Sequence, residues 1–184
     1  MTEIGPRHVL DFWFKETPSA KWFASDPEFD KEIGSRFVAT WRVGCAGGLA
    51  GWEDEPNGAL ALIVLFDQFP RNMFRGTADA FASDSRARDI AQRAIAERKD
   101  LETPASIRSF FYLPLTHSEN LADQEACVKL TKDRLGEDHA TFPYTLRHKA
   151  AVERFGRFPA RNAALGRVST DEEKDFLKHN PSGF

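Results

Sequence analysis

Behind an Asp26-Pro27 pair, four large apolar side chains recur every fourth residue: Phe29, Ile33, Phe37 and Trp41. That spacing follows the 3.6-residue turn of an α-helix and lays the four on one stripe. Asp26 can accept the free N–H groups of the first turn, Pro27 has the preset φ of a first helical position, and Gly44 marks the end. No stretch of the chain alternates convincingly with period two, so the sequence predicts an all-α fold.

The same bracketing continues along the chain. Gly58 to Phe69 is apolar nearly all round; a buried strand would look alike, but the length favours a central buried helix. Ser83-Asp84 opens an amphipathic stretch with Ala87, Ile90, Ala91, Ala94 and Ile95 on one face. Pro104 starts a short helix through Phe111 that Pro114 is expected to stop. Ser118 is the expected cap of a helix carrying Leu121, Cys127, Val128, Leu130 and Leu135, ended by Gly136. Pro143 to Phe155 is helical again, followed by Gly156. Ser169 with Glu172, and Thr170 with Glu173, form overlapping capping boxes before a last helix. With 184 residues and no linker, a single domain over residues 1–184 is expected.

A content of 41% hydrophobic and 29% charged residues, with 16 Phe and 4 Trp, is that of a soluble chain with an aromatic interior. Lys and Arg number 25 against 28 Asp and Glu, and the net charge of -3 supplies no general attraction to nucleic acid or anionic membrane. One stretch runs against that average. Arg147, Lys149, Arg154, Arg157, Arg161 and Arg167 are opposed between residues 147 and 167 by Glu153 alone. Cys45 and Cys127 stand outside any CxxC or Cys/His cluster, so neither a disulfide framework nor a zinc site is suggested and a cytoplasmic location is expected. The start, Met1 to Arg7, lacks the pattern of an export signal, and the longest apolar run, Ala59 to Phe66, is too short to span a bilayer. The glycine-rich run Gly44 to Gly51 follows a helix rather than a strand and lacks Gly-Lys-Ser/Thr, so a loop is read there rather than a phosphate cradle.

What singles this chain out is a phrase written twice. Phe66-Asp67-Gln68-Phe69-Pro70-Arg71-Asn72 returns as Phe155-Gly156-Arg157-Phe158-Pro159-Ala160-Arg161-Asn162, with one residue inserted. Phe74-Arg75-Gly76 follows the first copy and Leu165-Gly166-Arg167 the second. In each, proline is expected to end a helix at the preceding Phe69 or Phe158 and deliver an Arg-Asn pair at a turn. Guanidinium forks suit carboxylate or phosphate, so Arg71, Asn72, Arg75, Arg157, Arg161 and Asn162 are candidate ligands for a small anion held between the two turns. Between the copies, His117 is the candidate proton donor or acceptor, with Glu119 or Asp67 to orient it or act as base. Two candidate ligands and an unproven third do not make a metal site, and no metal or cofactor is expected. The competing reading makes both turns structural clasps, their arginines bonded to helix-end carbonyls or paired with carboxylates.

These segments, together with Phe12-Trp13-Phe14, Trp22-Phe23 and Pro114-Leu115-Thr116-His117-Ser118-Glu119, closely resemble a bacterial family known as domain of unknown function 924. The resemblance covers nearly the whole chain. It implies a tetratricopeptide-like superhelix of antiparallel helix pairs, about 7–9 helices in all, and transfers no activity; the family's usual form has His at the position of Ala160. Two function classes follow. One is a small-anion site, with hydrolysis or transfer at a phosphate or carboxylate ester as the reaction to screen first. The other is a protein- or peptide-interaction scaffold in which the turns are structural, as stacked helix pairs build concave surfaces.

Overall fold

The computed structural model describes residues 4–180 and Gly183; residues 1–3 of the opening segment lie outside them. The described residues are all-α. Among the described residues, ten α-helical segments, two of which join through a π segment into one run, give nine helices, and no strand occurs. The chain forms two compact units, one from residues 1–75 and 79–114, the other from 76–78 and 115–184.

In the first unit, α1 (Pro6–Asp11) runs on through a π turn, and α2 (Pro27–Cys45) follows. Asp26 caps α2, its Oδ1 accepting the N–H groups of Glu28 at 3.1 Å and Phe29 at 3.2 Å. Phe29, Ile33 and Phe37 are buried and Trp41 is half-buried, as the four-residue spacing requires. The buried centre is α3 (Pro56–Ile63), which packs on α1. Its contact with the preceding turn, Ala50–Asp54, needs a glycine: a Cβ on Gly58 would lie 1.9 Å from the Trp52 carbonyl oxygen.

The expected stop at Phe69 does not occur. Phe69 is helical (φ -59°, ψ -39°) and the chain continues from α3 through a π segment, Val64–Gln68, into α4 (Phe69–Met73). Pro70 brings no N–H to the helical ladder. The Phe66 carbonyl is bonded from outside instead: Ser83 Oγ donates to it at 2.7 Å and accepts from Trp41 Nε1 at 3.0 Å. Tertiary packing therefore overrides the local preference against a helical residue before proline. Ser83 also precedes α5 (Asp84–Ala96), which packs on α3. A single turn, α6 (Ala105–Arg108), comes next. Pro114 lies inside the short α7 (Leu113–Thr116), where a first-turn proline loses nothing, rather than stopping a helix.

In the second unit, α8 (Leu121–Leu135) packs on α9 (Phe142–Phe155). Asn120 rather than Ser118 caps α8, accepting the Ala122 N–H at 2.8 Å, while Ser118 donates to Asp123 at 2.6 Å. Gly156 is left-handed (φ 67°) and ends α9. Phe158 is extended (φ -91°, ψ 109°), as expected before proline, and Pro159–Arg161 form a 3-10 turn. Of the two capping boxes, Thr170 with Glu173 is formed, at the head of α10 (Asp171–His179). Phe158 is buried with Ala151 and Val152.

Candidate functional site

The repeated phrase thus takes two conformations, and each copy is answered by carboxylates of its own unit. In the first, Arg71 makes a two-pronged pair with Asp84 (2.9 and 3.0 Å) and lies 3.2 Å from Asp67, whose carboxylate is fully buried. Gln68 Nε2 donates to the other oxygen of Asp67. Asn72 donates to Asp30 at 2.7 Å, and Arg75 grips the same carboxylate at 2.7 and 2.8 Å. Burial pushes the Asp30 carboxyl up, but the hydrogen bonds from Arg75 and Asn72 outweigh it and hold the group below its ordinary value.

In the second copy, Arg157 makes a two-pronged pair with Glu173 (2.7 and 2.9 Å). Asn162 is buried and tied in by three neighbours, its amide N–H reaching Ser169 (3.0 Å) and Glu173 (3.2 Å) and its oxygen accepting from Arg167 at 3.0 Å. Arg167 also holds Glu119 at 2.7 and 2.9 Å, and Glu119 accepts the Phe158 N–H at 2.8 Å. Burial raises the Glu119 carboxyl, but those hydrogen bonds and the charges of Arg167 and Arg161 leave it lowered, hence ionised near neutral pH. Arg161 donates to the backbone carbonyl of His117 at 2.8 Å and lies over the Phe158 ring, 4.9 Å from its centroid.

Around the first copy, Asp30, Asp67 and Asp84 face Arg71 and Arg75. Around the second, Glu119 and Glu173 face Arg167 and Arg157, and the charge of Arg161 also acts on Glu119. Two imidazoles lie beside this second turn. The ring of His148 is buried, 6.1 Å from the half-buried ring of His117 and edge-on to Phe158 at 5.5 Å. Nδ1 of His148 lies 2.8 Å from the Tyr144 carbonyl, which only accepts, so the neutral ring carries its proton there. Burial, then the nearby His117, then Arg161 and Arg147, push His148 down to about 3 against the opposing Tyr144 bond.

Of the candidate proton-transfer groups, His117 and Glu119 thus lie in the second unit at this cluster, and Asp67 lies in the first, within the Arg71 clasp. The candidate anion ligands divide the same way, Arg71, Asn72 and Arg75 in the first unit and Arg157, Arg161 and Asn162 in the second. His148 escaped the sequence reading although its stripe was legible: Thr145, His148, Ala151 and Val152 form the buried face of α9. The clasp partners Asp30 and Asp84 carry no such signal, whereas Asp67 stands four residues before Arg71 and Glu173 was legible as a helix cap. Ala160, between Pro159 and Arg161, is exposed, and Gly183 packs on it so closely that a Cβ there would come within 2.5 Å.

No group of three or more His, Cys, Asp or Glu among the described residues is arranged to hold a metal ion, and none of their helices is long and apolar enough to cross a membrane. A cleft of about 140 Å³ in the first unit, between Glu53, Arg93, Glu97 and Lys99, contains none of the repeated residues.

The family described as "Bacterial protein of unknown function (DUF924)" matches residues 9–181. A solved structure, "Structure of Protein of Unknown Function ATU0120 from Agrobacterium tumefaciens", is similar at 38% identity and a TM-score of 0.88, over 95% of this chain and 97% of that one. Comparison with curated proteins returned no match.

Proposed function

The chain belongs to the DUF924 family of bacterial proteins, and we propose that it binds a small anion, phosphate or carboxylate, at the second Arg-Asn turn, with Arg161 as the principal ligand. The observation that supports this is the gathering of three guanidiniums, those of Arg157, Arg161 and Arg167, at one turn, with Arg161 over the same Phe158 ring that His148 meets edge-on. Clustered guanidinium forks favour an incoming anion by charge and by their paired N–H donors. On this reading Arg157, Arg167 and Asn162 hold the turn in place through Glu173 and Glu119, and Arg71, Asn72 and Arg75 clasp the first unit. Where the bound anion is an ester, His117 is the group we assign to proton transfer.

Thermal shift tests this. Inorganic phosphate at a hundred times its dissociation constant should stabilise the protein by about 2.7 kcal/mol. The effect should survive in Arg71→Ala, measured against that variant's own baseline, and vanish in Arg161→Ala. Equal stabilisation of all three proteins, or of none by any phosphate or carboxylate tried, contradicts the assignment.

A second reading, an interaction scaffold for protein or peptide, draws on the carboxylate-saturated clasp of the first unit, which leaves its repeated residues a purely structural task. Tyr144 and Leu146, both exposed on α9, are the side chains a peptide would meet. A partner whose capture is lost on Tyr144→Ala but unchanged by phosphate would favour it. The free thiols of Cys45 and Cys127 support a reducing compartment such as the cytoplasm.

A further inference from the structure

We propose that the cleft between the Ala50–Asp54 turn and the end of α5 binds a small zwitterion, an α-amino acid with a short side chain, independently of the anion site above. Helical spacing builds one wall. Ile90, Arg93, Ala94 and Glu97 follow the i, i+3, i+4, i+7 stripe of α5 and its C-cap, so two apolar and two charged side chains face the same cleft. Buried Ala59 of α3 completes an apolar floor with Ile90 and Ala94, while Glu53, Asp54 and Lys99 bring further charge. The cleft measures about 140 Å³. A protein cavity of about 150 Å³ takes one benzene, so a compound of similar size fits here, its apolar part on the floor and its charged groups against the charged lining.

The charges of the lining are only partly spent. Arg93 directs Nε (3.0 Å) and Nη2 (2.6 Å) to the same oxygen of Glu53, which leaves Arg93 Nη1 and the other Glu53 oxygen without a partner among the described residues. Lys99 Nζ donates to the Glu53 carbonyl at 2.7 Å and pairs with one oxygen of Glu97 at 2.6 Å, so one of its three N–H groups is left over. The second oxygen of Glu97 and the whole carboxylate of Asp54 have no hydrogen bond or ion pair to any described residue. An anion alone would meet three carboxylates here, and an amine alone would leave the spare N–H groups unanswered. A zwitterion answers both, its ammonium taken by Asp54 and the open oxygens of Glu53 and Glu97, its carboxylate by Arg93 and Lys99. The negative end of the α5 dipole adds to the pull on the ammonium.

Backbone strain falls at the same place. Arg98, between Glu97 and Lys99, is left-handed (φ 62°, ψ 18°), and no other non-glycine residue among the described residues has a positive φ. Glycine would make this reversal without strain. The turn brings Lys99, whose side chain is 16% exposed, onto the Glu53 carbonyl and fixes it there ahead of any ligand.

Backbone amide signals followed by nuclear magnetic resonance, near neutral pH and at constant ionic strength, test the proposal with three probes. These are L-valine, L-valinamide, which lacks the carboxylate, and N-acetyl-L-valine, which lacks the ammonium. L-Valine should give saturable shifts within residues 50–54 and 90–99, and each derivative should bind about tenfold more weakly for want of one charge-assisted contact. Asp54→Asn, an exposed change that breaks no internal bond, should weaken L-valine and L-valinamide together. Arg93→Gln should weaken L-valine but not L-valinamide, because it removes a carboxylate partner and unmasks Glu53. Either derivative binding as tightly as L-valine, or affinities unchanged in both variants, would overturn the zwitterion site. Shifts confined to the turn at Arg161, or no saturable shift with L-valine, would overturn it as well.

Discussion

Ser83 and Phe66, seventeen residues apart, share a hydrogen bond that lets a helix pass through a proline: Ser83 Oγ donates at 2.7 Å to the Phe66 carbonyl, four residues before Pro70. Trp41 closes the relay by donating to the same hydroxyl. Ser83→Ala removes the donor to one buried carbonyl and the acceptor of one indole N–H. A buried polar group left unsatisfied costs about 1–3 kcal/mol, and that loss is expected in denaturant unfolding. An unchanged midpoint would mean that the carbonyl finds water or another donor.

Gly58 sets two effects against each other. Alanine in a helix interior gains about 1 kcal/mol in propensity over glycine. Here its Cβ would stand 1.9 Å from the Trp52 carbonyl oxygen, and the obstacle is backbone rather than a movable side-chain end. Overpacking of this kind costs about 1–3 kcal/mol. Gly58→Ala is expected to destabilise on balance; a variant as stable as wild type would show that the 50–54 turn shifts freely.

The Glu119–Arg167 pair is half-buried and two-pronged, which separates it from the exposed pairs on the helix surfaces. A double-mutant cycle with Glu119→Gln and Arg167→Ala is expected to return a coupling of about 0.5–3 kcal/mol, whereas the exposed Lys174–Asp171 pair should return less than about 0.5. The two single variants should both loosen the turn that carries Arg161. If phosphate stabilisation is unaffected by either, the positioning role assigned to Glu119 is wrong.

Acid should weaken the fold in two stages. His148 is pushed down to about 3, so between pH 6.5 and 3 the unfolded chain binds a proton that the folded chain does not, and stability falls as pH falls through that window. Glu173 is lowered to about 2, first by its hydrogen bond to Arg157 and then by the Thr170 N–H, so the stability it adds is present above about 4.5 and lost from there down to about 2. Stability measured against pH should therefore lose its slope between 6.5 and 5 in His148→Gln and keep it in Glu173→Gln. A slope that persists in both would assign the acid sensitivity to other groups.

How much of this was legible in the sequence varies with the range of the forces involved. Helix α2, the amphipathic α5 and the Thr170–Glu173 cap were readable because periodicity and capping are local. The passage of a helix through Pro70 was not, because the donor that permits it is Ser83. The doubled phrase singled out the arginines as a set, and its inserted residue set the two turns apart, but it did not name their partners. Asp30 and Asp84 supply the difference at one copy, and Glu119 with Glu173 at the other, partners fixed by tertiary contact. His148 lay in plain view on a buried helical stripe, yet its significance comes from the neighbouring rings of His117 and Phe158.

On the proposed reading the second turn, through Arg161, receives a small anion and the first does not. Resolved arginine side-chain N–H signals, followed by nuclear magnetic resonance during a phosphate titration at constant ionic strength, test it directly. A saturable shift is expected at Arg161 Nε, echoed in the rings of His117 and His148, with Arg71 and Arg75 unmoved. Saturation at Arg71 or Arg75, or shifts at Arg161 that grow linearly without limit, would contradict it.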